Sequence, residues 1–189
     1  MNRKSSRGPT KQEVLEAADK RVPDRIKFGL SVLFVGINPS LYSAAVGHHF
    51  ARPGNRFWPT LHGAKWTPRQ FRPDEDARLM EHGCGITNLV SRATTRADEL
   101  SHSELSWGAK RLNAKIEIWK PRCVAFAGIT SFREAFKKPT ATMGRQDEET
   151  AGALTWVLPN PSGLNAHYQL PALVKQYRLL REALQIPPA

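Results

Sequence analysis

Two short stretches hold residue types suited to gripping a flat heterocycle beside a water molecule. The first is Gly36-Ile37-Asn38-Pro39-Ser40, which runs on through Leu41 to Gly47 and into His48-His49-Phe50-Ala51-Arg52-Pro53-Gly54-Asn55-Arg56-Phe57-Trp58. Gly36 allows a tight turn, and Pro39 fixes the backbone just after Asn38. The Asn38 amide oxygen can then accept from a water while its NH₂ donates to a substrate carbonyl. Taken alone, the motif reads as an ordinary Asn-Pro turn. Phe50 offers a face for a stacked base, worth about 1–3 kcal/mol. Asn55 suits a helix N-cap, with Phe57 and Trp58 read as core.

The second stretch is Leu158-Pro159-Asn160-Pro161-Ser162-Gly163-Leu164-Asn165, followed by Ala166-His167-Tyr168. Two prolines stiffen it. Ser162 and backbone N–H groups can hold a phosphate. Leu164 stands at the tip of a polar turn, either as a wedge between stacked bases or folded back as a staple on the following helix.

These loops need a scaffold, and the chain provides one. Four runs are apolar on both faces, as parallel strands covered by helices require: 31–36 (SVLFVG), 85–90 (GITNLV), 122–128 (RCVAFAG) and Leu154–Leu158 (LTWVL). Helical spacing marks 56–62, 74–82, 103–119, 131–136 and 170–184. A short helix is predicted at 12–21, stopped by the Val22-Pro23 step. The alternation predicts a three-layer α/β/α fold with a mostly parallel central sheet, its ligand site beyond the carboxyl ends of the strands. Asn88, near the end of the second run, offers a donor–acceptor pair there. Residues 1–25 read as a basic, partly flexible extension and 26–189 as one domain.

The 189 residues carry 28 Lys+Arg against 17 Asp+Glu, a net charge of +11, and the sequence pI is about 10.1. That balance fits a polyanionic partner, or else a generally solvated basic surface. Arg52, Arg56, Arg92, Arg96 and Lys110 are the cations expected to track phosphates. No run approaches the roughly 18 apolar residues of a membrane span. No secretory h-region follows the polar Met1–Thr10 stretch, so a soluble cytoplasmic protein is expected, with a monomer the simplest state. The two cysteines, Cys84 and Cys123, read as buried thiols. The six histidines show no metal-binding pattern, so neither metal nor cofactor is expected.

Taken together, GINPS and NPSGLN at the first and last strands resemble the paired motifs of the mismatch-specific uracil-DNA glycosylases, within the thymine-DNA glycosylase family of the uracil-DNA glycosylase superfamily. HFARPGNRFW (49–58), CGITNLVSRATTRADE (84–99) and WVLPNPSGL (156–164) are similar to that group as well, and the resemblance spans roughly residues 30 to 185. It implies a uracil-DNA-glycosylase-like fold and a monofunctional glycosylase. Such an enzyme flips uracil, and in some members thymine or ethenocytosine, from a G-mismatched DNA duplex and leaves an abasic site.

The resemblance also implies roles. Asn38 would position the attacking water, and the backbone near Ser40 would meet the base edge, where many relatives have Gly. Phe50 would stack on the flipped base, and Asn88 would read it, where bacterial members often carry Lys. Asn160 would lie near uracil O2. Gly163 and Leu164 would form the wedge, with Ser162 and Asn165 beside it on the DNA. His48-His49 replaces the aromatic and proline common in relatives. An amide is no general base, so Asp98 is the carboxylate expected to assist catalysis; both it and Glu99 read otherwise as exposed helix-start residues. A non-catalytic mismatch binder on the same fold is the rival reading. A nucleotide-binding enzyme would want GxxxxGK[ST] or GxGxxG after the first strand, and neither occurs.

Overall fold

The apolar runs become strands because each must bury both faces. β1 (Val32–Gly36), β2 (Cys84–Asn88), β3 (Cys123–Ala127) and β5 (Leu154–Leu158) are parallel, and the two-residue β4 (Gly144–Arg145) pairs antiparallel to β5. The order across the sheet is β2-β1-β3-β5-β4. This architecture comes from a computed structural model, which describes residues 8–18 and 20–189.

Alternation along the strands builds two cores. Val32 and Phe34 of β1, with Cys123 and Ala125 of β3, face one layer. That layer is supplied by α3 (Phe57–Gly63) and α6 (Leu170–Ala183). There Phe34 meets Phe57 and Trp66 edge-on at 5.6 and 5.4 Å and stacks on Tyr177 at 6.0 Å, geometries that aromatic quadrupoles favour. Leu33 and Val35, with Val124 and Phe126, face the other layer. It is formed by α4 (His102–Trp119) and α5 (Ile129–Phe136). The three-layer α/β/α expectation is therefore met.

α4 starts on a reciprocal Ser101–Glu104 capping box. It is seated against the exit of β2 through Gly108, where a Cβ would lie 2.4 Å from the Leu89 carbonyl oxygen. Only glycine lets the helix approach that closely. Two elements differ from the periodicity reading. Residues 41–46, read as loop, form α2 (Leu41–Val46), capped by Ser40 and closed by left-handed Gly47. The segment Pro73–His82 is a 3₁₀ helix rather than an α-helix.

The predicted 12–21 helix is shorter, α1 (Lys11–Leu15), opened by a Thr10–Glu13 capping box. Beyond it, Ala17 packs with Ala44 and Ala93. Arg25 bridges Ile86 on the β2 edge in both directions at 2.8 Å, so residues of the basic extension lie along the sheet. Met1 to Arg7 fall outside the described residues. Cys84 and Cys123 are free and buried, with burial pushing both thiols up to about 12. They sit on the strands flanking β1, about 10 Å apart by strand spacing and too far for a disulfide. Among the described residues no helix is long and apolar enough to cross a membrane.

Candidate active site

At the carboxyl ends of the strands, the loops after β1 and β2 stay laced together. Leu89 N donates to the Gly36 carbonyl at 2.8 Å, Val90 N to Ile37 at 2.9 Å, Thr94 N to Pro39 at 3.2 Å, and Leu41 N to Thr94 at 3.1 Å. This lacing carries Arg92 and Thr94 up to Asn38. The Asn38 Nδ2 donates to the Arg92 carbonyl at 2.9 Å and to Thr94 Oγ1 at 2.7 Å. The Thr94 hydroxyl in turn donates to the Arg96 carbonyl at 2.7 Å, so toward Asn38 it can only accept. Both amide hydrogens are spent, and Oδ1 is the group left to face the pocket. The NH₂ expected to serve a substrate is a structural anchor instead.

Asn38, Ser40, Phe50, Asn88, Asn160, Ser162 and Leu164 line one cavity of about 120 Å³. The two asparagine turns, 122 residues apart in sequence (160 − 38), thus share a pocket. It adjoins a wider groove of about 850 Å³, which shares Arg52, Asn160, Ser162 and Leu164 with it.

Phe50 stacks on Phe57 at 4.0 Å with 18° between the planes, and its backbone is left-handed (φ 51°). A bulky residue held in that region is strained. Here it is restrained by Ala51 N donating to the buried Ser43 Oγ at 3.0 Å. Gly36 serves the pocket through space rather than through a turn: a Cβ there would come within 2.5 Å of Asn88 Oδ1 and 3.3 Å of the Phe50 ring. Ser40 spends its side chain capping α2, accepting from Ser43 N at 3.1 Å.

In the second loop, Asn160 Oδ1 accepts from Ser162 N at 2.9 Å. Its Nδ2 is thereby left as a donor without a partner among the described residues. Gly163 lies flat on the first loop, where its Cβ would meet the Gly54 carbonyl oxygen at 2.7 Å. Leu164 is 69% exposed, which overturns the reading of a staple folded onto α6. Asn165 is turned inward: its Nδ2 donates to the Asn160 carbonyl at 2.9 Å and its Oδ1 accepts from His167 N at 3.1 Å. Its side chain holds the loop rather than reaching outward to DNA.

The cations divide. Arg56 donates to the Ser162 carbonyl and, at 2.8 Å, to the Asn165 carbonyl. It is therefore a brace between the loops and not a free phosphate contact. Arg92 is bound to Glu104, which it holds down to about 2. Arg96 is paired with Asp98 at 2.6 Å. Arg52 is exposed on the pocket rim with no acidic partner among the described residues, and Lys110 lies over the Trp107 ring at 5.0 Å.

Asp98 is not brought to the pocket. It is 62% exposed on its side chain, bound to Arg96, and lines only the adjoining groove. Glu99 turns back to cap Arg96 N at 2.8 Å. Among the described residues, no Asp, Glu or Lys lines the pocket itself.

Sequence reasoning missed Thr94 and the orienting role of His49. His49 is 2% exposed; its Nε2 meets the Pro23 carbonyl at 3.0 Å and its Nδ1 meets Asn88 Nδ2 at 3.4 Å. Behind it, the buried Asp76 accepts from His49 N at 3.1 Å and from Arg25 at 2.7 Å. Nothing in sequence spacing signals Thr94, whereas the His48-His49 pair beside Phe50 did mark a polar wall.

Comparison with known proteins speaks to family and fold. The model of the uracil DNA glycosylase superfamily matches residues 23–186. Among solved structures, the chain is similar to the solution structure of a "putative uracil DNA glycosylase" from Methanosarcina acetivorans. The TM-score is 0.61 at 18% identity, covering 88% of this chain and 98% of that one. At that identity the likeness speaks for the fold.

Proposed function

The chain belongs to the uracil DNA glycosylase superfamily, and from that premise we propose that it hydrolyses the glycosidic bond of uracil in G-mismatched DNA. Membership supports a DNA glycosylase role and DNA as the partner. The finer reading is carried by one observation: the Asn38 amide is anchored through both hydrogens and keeps only Oδ1 for the pocket. That leaves an acceptor able to orient a water and unable to offer a proton.

The chemistry follows from what surrounds it. Extrusion of the base costs a few kcal/mol, less for a mispaired base, which favours uracil opposite guanine. Leu164, exposed at the loop tip, fills the vacated stack. The base enters between Phe50 and the amides of Asn88 and Asn160. As the C1′–N1 bond breaks, the electron pair leaves with the base, and the free Nδ2 of Asn160 stabilises the charge gathering on O2. Water held by Asn38 adds at C1′ and loses its proton to solvent. A positioned base would add about 10²–10⁴-fold, and among the described residues no carboxylate lines the pocket, so turnover is slow and rests on bond cleavage preceding attack. Among the described residues no lysine lines the pocket, which fits a monofunctional hydrolase that forms no Schiff base.

A pocket lined by no carboxylate among the described residues also favours a second reading, a non-catalytic mismatch binder. Labelled duplexes carrying U·G, U·A, T·G or ethenocytosine·G, incubated with excess protein and then cleaved with alkali, separate the two. Scission strongest at U·G is expected. Binding without scission on every duplex would establish the binder instead.

A further inference from the structure

The pocket wall holds a contact that bears on the orientation of one amide, between His49 and Asn88. His49 Nε2 is 3.0 Å from the Pro23 carbonyl, and a carbonyl only accepts, so this nitrogen carries the ring proton. Burial keeps the imidazole neutral, lowering its pKa to about 4 against the opposing pull of Asp76 and Asp24. Nδ1 is therefore a bare lone pair, and the group facing it at 3.4 Å is Asn88 Nδ2. The other end of the same amide, Oδ1, lies over Gly36, where a Cβ would come within 2.5 Å of it and 3.3 Å of the Phe50 ring, and Asn88 lines the pocket.

We propose that His49 is a positioning residue for base selection, holding Asn88 in the one orientation that admits a 4-oxopyrimidine and refuses a 4-aminopyrimidine. The inference rests on the glycosylase reading above and deepens it. In the held orientation Asn88 offers Oδ1 to the ring N3–H and its second Nδ2 hydrogen to the ring O4. A 4-aminopyrimidine presents the inverse pattern, an N3 lone pair and an amino donor. Accepting it requires turning the amide over, which would set Oδ1 against the Nδ1 lone pair. Only moving the ring proton to Nδ1, with loss of the Pro23 bond, or protonating the buried ring would relieve that clash. Leaving a buried polar group opposed in this way is what gives hydrogen-bonding sites their selectivity.

The test uses the full chain. Nitrogen-15 NMR of the wild type should show His49 as the Nε2–H tautomer near neutral pH; an Nδ1–H tautomer overturns the proposal whatever the activity. Single-turnover excision is then compared on duplexes with uracil or cytosine opposite thymine, where both bases are mispaired. His49→Phe keeps the ring and removes the acceptor, and should raise the cytosine-to-uracil ratio at least about tenfold. His49→Gln, which can donate to Pro23 and accept from Asn88, should hold the wild-type ratio within about twofold. Adding His49→Phe to Asn88→Ala should change the ratio no further. A folded His49→Phe protein with the wild-type ratio overturns the proposal, and if that variant does not fold, the tautomer decides. Should the wild type release neither base, the glycosylase reading fails while the tautomer still judges the lock.

Discussion

The Thr94 hydroxyl accepts from Asn38 at 2.7 Å and donates to the Arg96 carbonyl at 2.7 Å. A side chain 56 positions away in sequence therefore decides which end of Asn38 faces the pocket. A free asparagine could present either end to a water, and only the oxygen orients one for attack.

Thr94→Val keeps the shape and removes the acceptor. Excision of uracil should slow roughly tenfold as the water loses its fixed partner. Stability should fall by about 1 kcal/mol for the lost hydrogen bond. Thr94→Ser should recover most of the rate. Single-turnover kinetics and denaturant melts check both, and an unchanged rate would show that the anchor is dispensable.

Leu164 is 69% exposed, so Leu164→Ala should leave stability within about 0.5 kcal/mol of wild type. Its effect should fall on extrusion. Excision from a U·G duplex drops about tenfold or more, while single-stranded uracil, already unstacked, is removed at nearly the same rate. Equal losses on both substrates would place Leu164 in the chemistry rather than in the opening of the duplex.

Arg52 and Arg56 should separate cleanly. Arg52 has no acidic partner among the described residues, so Arg52→Ala should reduce the salt slope of DNA binding by about 1 with stability unchanged. Arg56 holds the Ser162 and Asn165 carbonyls. Arg56→Ala should cost about 1–3 kcal/mol of stability and misplace the wedge loop. Binding titrations over a salt series and urea unfolding read the two effects.

His49 makes stability depend on pH in a definite direction. Its pKa is lowered from 6.5 to about 4 by burial. As pH falls through 6.5 the unfolded chain takes up the proton and the folded chain does not. Stability contributed by the neutral ring is therefore full above pH 6.5 and lost progressively down to about 4. The shift corresponds to about 3 kcal/mol. His49→Gln should lack that part of the pH slope, as urea unfolding at several pH values would measure.

Much of the scaffold could be read in advance because its signals are local. Runs such as SVLFVG and RCVAFAG have no polar face, and only a strand covered on both sides can bury them. Phe57 and Trp58, expected in the core, are 0% and 3% exposed. α2 escaped because six residues between a serine cap and a glycine stop leave too short a period to see. β4 escaped because two residues carry no pattern at all.

The candidate site was half visible. Asn38, Phe50, Asn88 and Asn160 stand out by type, by their place after strands and by motif, and they do share one cavity. Asp98 was proposed from sequence proximity to Asn88, but its carboxylate is bound to Arg96 outside the pocket. Arg56 looked like any surface cation and is instead a clamp, because two carbonyls converge on it only once the loops have met.

Residue type and periodicity set the layers, the strand ends and the chemical alphabet of the loops, since burial and backbone geometry act over a few neighbouring positions. The orientation of each amide could not be read that way. Asparagine is nearly symmetric between donor and acceptor, and the choice is made by distant partners: Thr94 and Arg92 for Asn38, His49 and Pro23 for Asn88. Thr94 and Arg92 reach Asn38 only when the sheet pairs β1 with β2 and draws their exits together.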